Sequence, residues 1–240
     1  MNNKKDKIIG CLLGTAAGDS IGLPCEGLSK KRLKKIYGEI KGHSFFFNKG
    51  MVSDDTEHTA MVAKALLETD GDAKAFTENL SWKLRFWFMS LPAGIGMATL
   101  KSCIKLCLGW PGDKSGVFSA GNGPAMRSAI IGVMYGEDRE KMKELVRAST
   151  HITHRDPKAE YGALAVALAS HLSDASPEEY YRELEQLIGK EGEELLKLVK
   201  KAIEFVSAGK STEDFVVSLG LGRGISGYIY HTVPAVLYCW

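Results

Sequence analysis

Ser53-Asp54-Asp55-Thr56-Glu57-His58-Thr59 runs directly into Ala60-Met61-Val62-Ala63-Lys64-Ala65-Leu66-Leu67, an apolar helical segment. A hydroxyl, two adjacent carboxylates, a second hydroxyl and a third carboxylate therefore stand in five consecutive residues at a helix entrance. Two readings compete for them. In one, Ser53 or Asp54 is the N-cap, and Asp54, Asp55 and Glu57 complement the helix dipole and its free N–H groups. In the other, Ser53, Asp54 and Asp55 are oxygen ligands for a hard cation of the magnesium type. One cap needs one acceptor, and this cluster offers more.

Upstream, Ile8, Ile9, Leu12, Leu13, Ala16 and Ala17 repeat at helical spacing. Gly10, Gly14 and Gly18 fall four apart on one face of that helix. Helical glycine costs about 1 kcal/mol relative to alanine, so the face is expected to admit a close backbone approach by another helix. Lys4, Lys5 and Lys7 ahead of the apolar run imitate a secretion signal, but the short run with its glycines, leading into Asp19 and Glu26, reads as a mature helix. The turn Gly18-Asp19-Ser20-Ile21-Gly22-Leu23-Pro24-Cys25-Glu26 follows. Lys30 to Lys35 reads as a short exposed helix, and Phe45-Phe46-Phe47 as a plug onto the core.

Downstream, Phe76, Leu80, Leu84 and Trp87 define a helix over 73–90, and a further helix runs from about Met97 to Leu108. Gly109 to Gly123 reads as a long loop, of the kind that often carries function. It ends in Gly121-Asn122-Gly123-Pro124-Ala125-Met126-Arg127, either an ordinary turn with Pro124 at the first helical position or a loop whose N–H groups can approach an anion. Helices are expected at 138–150, 157–172, 177–188, 191–208, 211–219 and 225–238. His151 and His154 lack a third ligand for zinc. No useful alternating strand pattern occurs, so the fold class is all-α, one domain over residues 1–240, too long for a simple four-helix bundle.

Composition narrows the function. Apolar content of 45%, charged content of 25% and a net charge of +2 are those of an ordinary globular chain without a strong nucleic-acid or membrane field. Five cysteines without paired spacing, Cys11, Cys25, Cys103, Cys107 and Cys239, read as reduced thiols of a cytoplasmic protein.

Taken in chain order, these segments resemble the ADP-ribosylglycohydrolase family. The likeness rests on Gly10-x3-Gly14-x3-Gly18-Asp19 with Pro24-x-Glu26, on Ser53-Asp54-Asp55-Thr56, and on Gly121-Asn122-Gly123-x-Ala125-Met126-Arg127. It continues through Thr153-His154-x7-Gly162-Ala163 and Gly227-Tyr228-x2-His231-Thr232-x-Pro234-Ala235-x2-Tyr238.

The resemblance implies an all-α orthogonal multi-helix bundle whose cleft holds two Mg2+ ions and an ADP-ribose. It implies that Ser53, Asp54 and Asp55 ligate metal, and that Glu26, Asp54 and Asp55 are catalytic, with Glu26 orienting or activating the attacking water. Gly121, Asn122, Gly123, Met126 and His154 would contact the ligand, and Phe118 is placed as an adenine platform by its position. The implied activity is release of ADP-ribose from a modified protein side chain or other conjugate by glycosidic cleavage through an oxocarbenium-like state.

The family's second motif, Gly-Gly-Asp-x-Asp-Thr, does not occur in these 240 residues. The domain is thus expected to lack the C-terminal metal-binding segment, to have an incomplete second metal site, and to expose apolar surface that a partner or a second copy covers. The alternative function is a weakly active or inactive ADP-ribose-binding or structural member of the same fold.

Overall fold

The computed structural model describes residues 2–45 and 49–240. Of the predicted aromatic plug only Phe45 is described, and it is half-buried; Phe46 and Phe47 lie outside the described residues. The described regular elements are all helical, with two isolated bridges and no strand among the described residues.

The first half comprises α1 (Asn2–Gly22), α2 (Lys30–Ile36), α3 (Asp54–Thr69), α4 (Ala73–Met89), α5 (Met97–Cys107), α6 (Gly112–Ser115) and α7 (Gly123–Met126). The second comprises α8 (Ala129–Tyr135), α9 (Arg139–Thr153), α10 (Pro157–His171), α11 (Pro177–Ile188), α12 (Glu193–Ser207), α13 (Thr212–Ser218) and α14 (Ile229–Cys239). The expected all-α bundle is what forms. Three segments differ from the sequence reading. Gly18 to Gly22, read as the start of a turn, continue α1, because neither glycine takes a positive φ and the helix ends only at the 3-10 turn Leu23–Cys25 that holds Pro24. The long loop contains the short α6, and the C-terminal helix starts at Ile229 rather than 225, because Gly220 and Gly224 take positive φ angles that end regular helix.

Helix α10 is the central element, in contact with α7, α8, α9, α11, α12 and α14. Its alanines are nearly all buried and leave room for close neighbours. A Cβ added to Gly132 of α8 would lie 1.8 Å from the carbonyl oxygen of Ala167. That is where two helices meet backbone to backbone.

The expectation for α1 is corrected here. A Cβ on Gly10, Gly14 or Gly18 would meet nothing within 4 Å, so among the described residues no helix approaches that face. One side of α1 packs on α3 and α8, while Ile9 and Leu13 are exposed. The segment Lys4–Cys25 is long and apolar enough to cross a membrane by length and composition alone. Exposed apolar side chains are thus present on α1.

The two glycine settings give opposite outcomes for the same substitution. Gly132→Ala overpacks a backbone contact, which typically costs about 1–3 kcal/mol and outweighs a helix-propensity gain of about 1 kcal/mol. Gly14→Ala keeps only the gain. Urea unfolding followed by circular dichroism should therefore show the first variant destabilised and the second stabilised.

Candidate active site

The capping of α3 at Ser53 is completed by a residue from another helix. Asp19, near the end of α1, receives the backbone N–H of Ser53 at 2.8 Å and of Thr56 at 3.2 Å, together with the Ser53 hydroxyl at 2.7 Å and the Thr56 hydroxyl. Ser53 is the N-cap residue, and its oxygen also accepts weakly from Asp55 N–H at 3.4 Å. The third carboxylate, Glu57, accepts from the indole N–H of Trp87 at 2.6 Å and ties α3 to α4.

Capping thus rests on Asp19 and Ser53 rather than on Asp54 or Asp55; among the described residues Asp54 accepts only from its own backbone N–H, which partly offsets the rise in its pKa. Asp54 and Asp55 line a cleft of about 1010 Å3 shared with Glu26, Gly121, Asn122, Gly123, Met126 and His154. Residues 96–99 at the start of α5 and 223–227 ahead of α14 close its other walls. Burial pushes the Asp54 carboxyl up to about 6, with the negative charges of Glu26, Asp19 and Glu57 adding to it. Asp55 also rises to about 6, from burial first and then from Asp54, Asp19 and Glu26. Carboxylates crowded this way call for a cation.

The donor set is made of oxygen and fits magnesium, which retains several waters and takes one or two carboxylates. Among the described residues no three His, Cys, Asp or Glu side chains form a closed metal cage. Ser53 is not among the residues that line the cleft, and its hydroxyl proton goes to Asp19. Phe118 is exposed and also stands outside the lining, although its neighbour Ser119 belongs to it.

Opposite the carboxylates, the turn at 121–123 is pinned from two sides. Asn122 N–H donates to Gly227 carbonyl and Ile229 N–H to Ala120 carbonyl, both at 2.9 Å, which joins it to the segment before α14. The Asn122 N–H is therefore not available to an anion, and the sequence reading of the loop is corrected at that residue. The His154 ring lies behind the turn, where a Cβ on Gly121 would come within 2.9 Å of Nε2 and one on Gly123 within 3.0 Å of Cε1. The glycines make room for this ring.

His154 is placed by the end of α9. Helix ends leave carbonyls without partners. The carbonyl of Ile152 accepts from Ser115 Oγ at 2.7 Å, and that of Thr153 from Ser102 Oγ at 2.9 Å and from Val117 N–H at 3.1 Å. The buried Arg127 bonds Ser149 Oγ at 3.1 Å, Ser149 carbonyl at 2.9 Å, Thr153 Oγ1 at 2.7 Å and His58 Nδ1 at 3.1 Å. Sequence reasoning quoted Arg127 and Asp19 within motifs and missed what each does. A fully buried arginine leaves no trace in hydropathy patterning, and a cap supplied from 34 residues away has no local spacing.

Fold and site together define a class: an all-α protein with a polar cleft, in which two unpaired aspartates face a glycine turn backed by a buried histidine. The chain belongs to the ADP-ribosylglycohydrolase family, whose model matches residues 1–240.

It is 34% identical over 189 residues to an uncharacterized protein of Archaeoglobus fulgidus, covering 75% of this chain and 60% of that one. It is 28% identical over 273 residues to the ADP-ribosylhydrolase ARH3 of Gallus gallus, covering 95% and 71%. To the ADP-ribosyl-[dinitrogen reductase] glycohydrolase of Rhodospirillum rubrum it is 27% identical over 175 residues, covering 69% and 57%. The alignment thus spans little more than half of some relatives. A solved structure described as an ADP-ribosylglycohydrolase-related protein complex shares the fold, with a TM-score of 0.67 at 24% identity over 99% of this chain and 87% of that one.

The division of labour between Asp19 and its neighbours predicts separable losses. Asp19→Ala removes a charged acceptor of four hydrogen bonds and should cost roughly 2 kcal/mol, at the upper end of cap losses. Asp54→Asn and Asp55→Asn remove like-charge crowding and should leave stability equal or higher. Urea midpoints of the three variants at neutral pH, in the presence of a chelator, check both statements.

Proposed function

We propose that the protein is a magnesium-dependent hydrolase that releases ADP-ribose from a modified protein side chain or another ADP-ribose conjugate by cleaving its glycosidic bond. The observation that carries this reading is the pair of carboxylates, Asp54 and Asp55, left unpaired in the cleft because Asp19 does the capping. Family membership supports the reaction class.

In this reading Asp54 and Asp55 hold the ion, helped by the Glu26 charge. An ion held there would supply Lewis-acid stabilisation and would lower the cost of activating water. Glu26, exposed at the same cleft, takes a proton from the attacking water. The N–H groups of Gly121 and Gly123, which have no backbone acceptor among the described residues, face the ligand's oxygens together with His154. Charge developing at the anomeric carbon is positive, and the aspartates and Glu26 stabilise it.

A second reading, binding without turnover, is favoured by one observation: no third metal-ligating side chain among the described residues closes on the two aspartates. Calorimetry with ADP-ribose, with and without magnesium, beside an assay on arginine- and serine-linked ADP-ribose, separates the two readings. Turnover that falls about 100-fold or more in Asp54→Asn and Asp55→Asn supports the hydrolase. Tight ADP-ribose binding with no release from any linkage supports the binding module and ends the first reading.

The raised carboxyl pKa values set a pH dependence. Their folded pKa of about 6 lies above the ordinary value of 3.8, so the folded protein holds these protons more tightly than the unfolded chain. The stability they contribute is full below about pH 4 and is lost as pH rises through 6. Without metal, the melting temperature should fall between pH 5 and pH 7, and Asp54→Asn should flatten that fall. Magnesium should restore stability at pH 7 and do little at pH 5, where protons compete for the same oxygens. Differential scanning fluorimetry with magnesium and with a chelator reads all four conditions.

A further inference from the structure

The hydrogen bonds behind the cleft leave His154 little choice of proton position. Thr153 Oγ1 accepts from Arg127 Nη2 at 2.7 Å and lies 2.9 Å from His154 Nδ1. A guanidinium has no lone pair to offer, so Arg127 can only donate. The Thr153 hydroxyl keeps one proton of its own, and among the described residues that proton has no other acceptor. Directed at Nδ1, it completes every bond in the chain. His154 then carries its ring proton on Nε2, the edge that meets Gly121. The ring is buried, lines the cleft, and its Nε2 has no protein acceptor among the described residues.

We propose that Arg127 is a positioning residue: through the Thr153 hydroxyl it holds His154 as the Nε2–H tautomer, so that the cleft wall beside Gly121 presents a fixed neutral donor to an oxygen of the ligand. Burial and the nearby Arg127 charge both oppose a cationic ring, so the donor stays neutral. Arg127 treats His58 in the same way, donating from Nη1 to its Nδ1 and placing the proton on Nε2, which is buried without a hydrogen-bond partner among the described residues. One buried guanidinium thus sets the proton positions of two histidines, of which only His154 faces the cleft.

That the acceptor belongs to ADP-ribose rests on the function proposed above; the tautomer does not. The test is nitrogen-15 NMR of the histidine rings in the intact chain, paired with ADP-ribose titration. In the wild type, His154 should show a protonated Nε2 and a bare, hydrogen-bonded Nδ1 at neutral pH. Thr153→Ser, which keeps the hydroxyl, should preserve both resonances and bind ADP-ribose within about twofold of the wild type. Thr153→Val should move the Nδ1 resonance to its unbonded position and weaken ADP-ribose by about tenfold, the loss of one well-placed hydrogen bond. Arg127→Met frees the Thr153 oxygen to accept from Nδ1, and the Nδ1–H form should appear.

A wild-type His154 protonated on Nδ1 overturns the proposal, as does a Thr153→Val spectrum that matches the wild type. If Arg127→Met does not fold, the wild-type and Thr153 spectra still decide the matter. If the wild type binds no ADP-ribose, the functional reading fails while the tautomer is judged on the spectra alone.

Discussion

Asp19 accepting four hydrogen bonds at the start of α3 is the contact on which the site depends. A helix start exposes N–H donors that must find acceptors, and nearby carboxylates ordinarily fold back to supply them. Here an acceptor arrives from α1 and does this work from outside the helix. Asp54 and Asp55 are released from it and remain in the cleft as uncompensated charge. The same contact fixes α1 to α3, so stability of the fold and reactivity of the site share one carboxylate.

The opposite wall is built on the end of α9. Its last carbonyls collect donors from three separate segments: Ser102 of α5, Ser115 of α6, and Arg127 between α7 and α8. Each bond is local housekeeping for a helix terminus. Together they bring α5, the 109–123 segment and the Gly121 turn to one place and leave His154 at their junction. Cleft and helix end are therefore a single construction, and Arg127 rests at the negative pole of the α9 dipole, where a cation is favoured even without a carboxylate partner.

Much of this was legible in the sequence, and the limits have physical causes. Helical periodicity placed α4, α9, α10 and α11 to within a few residues, because each buries one regular face or, for α10, nearly all of itself. The oxygen cluster at Ser53 to Glu57 and the glycine turn at 121–123 were visible as local excesses of donors and of small residues. What local pattern could not tell was which member of the cluster caps and which faces the cleft, since the deciding partner, Asp19, is remote in sequence. Glycine spacing misled for the same reason. The stripe on α1 looked like a helix crossing, yet the backbone contact lies at Gly132, a lone glycine whose meaning depends on Ala167.

Charge balance connects the two walls. On one side stand Asp54, Asp55 and Glu26; burial first, and the surrounding negative charge after it, raise the two aspartates. On the other side Arg127, the one fully buried cation among the described residues, is held by hydroxyls, a carbonyl and a neutral histidine, and burial pulls its pKa down to about 10. It remains charged at neutral pH, yet it forms no direct ion pair with the cleft carboxylates. Had Arg127 reached Asp54, the pair would have neutralised itself and removed the site's demand for a cation. By directing its donors to Thr153, Ser149 and His58 instead, the protein keeps the carboxylate wall negative and the histidine wall neutral.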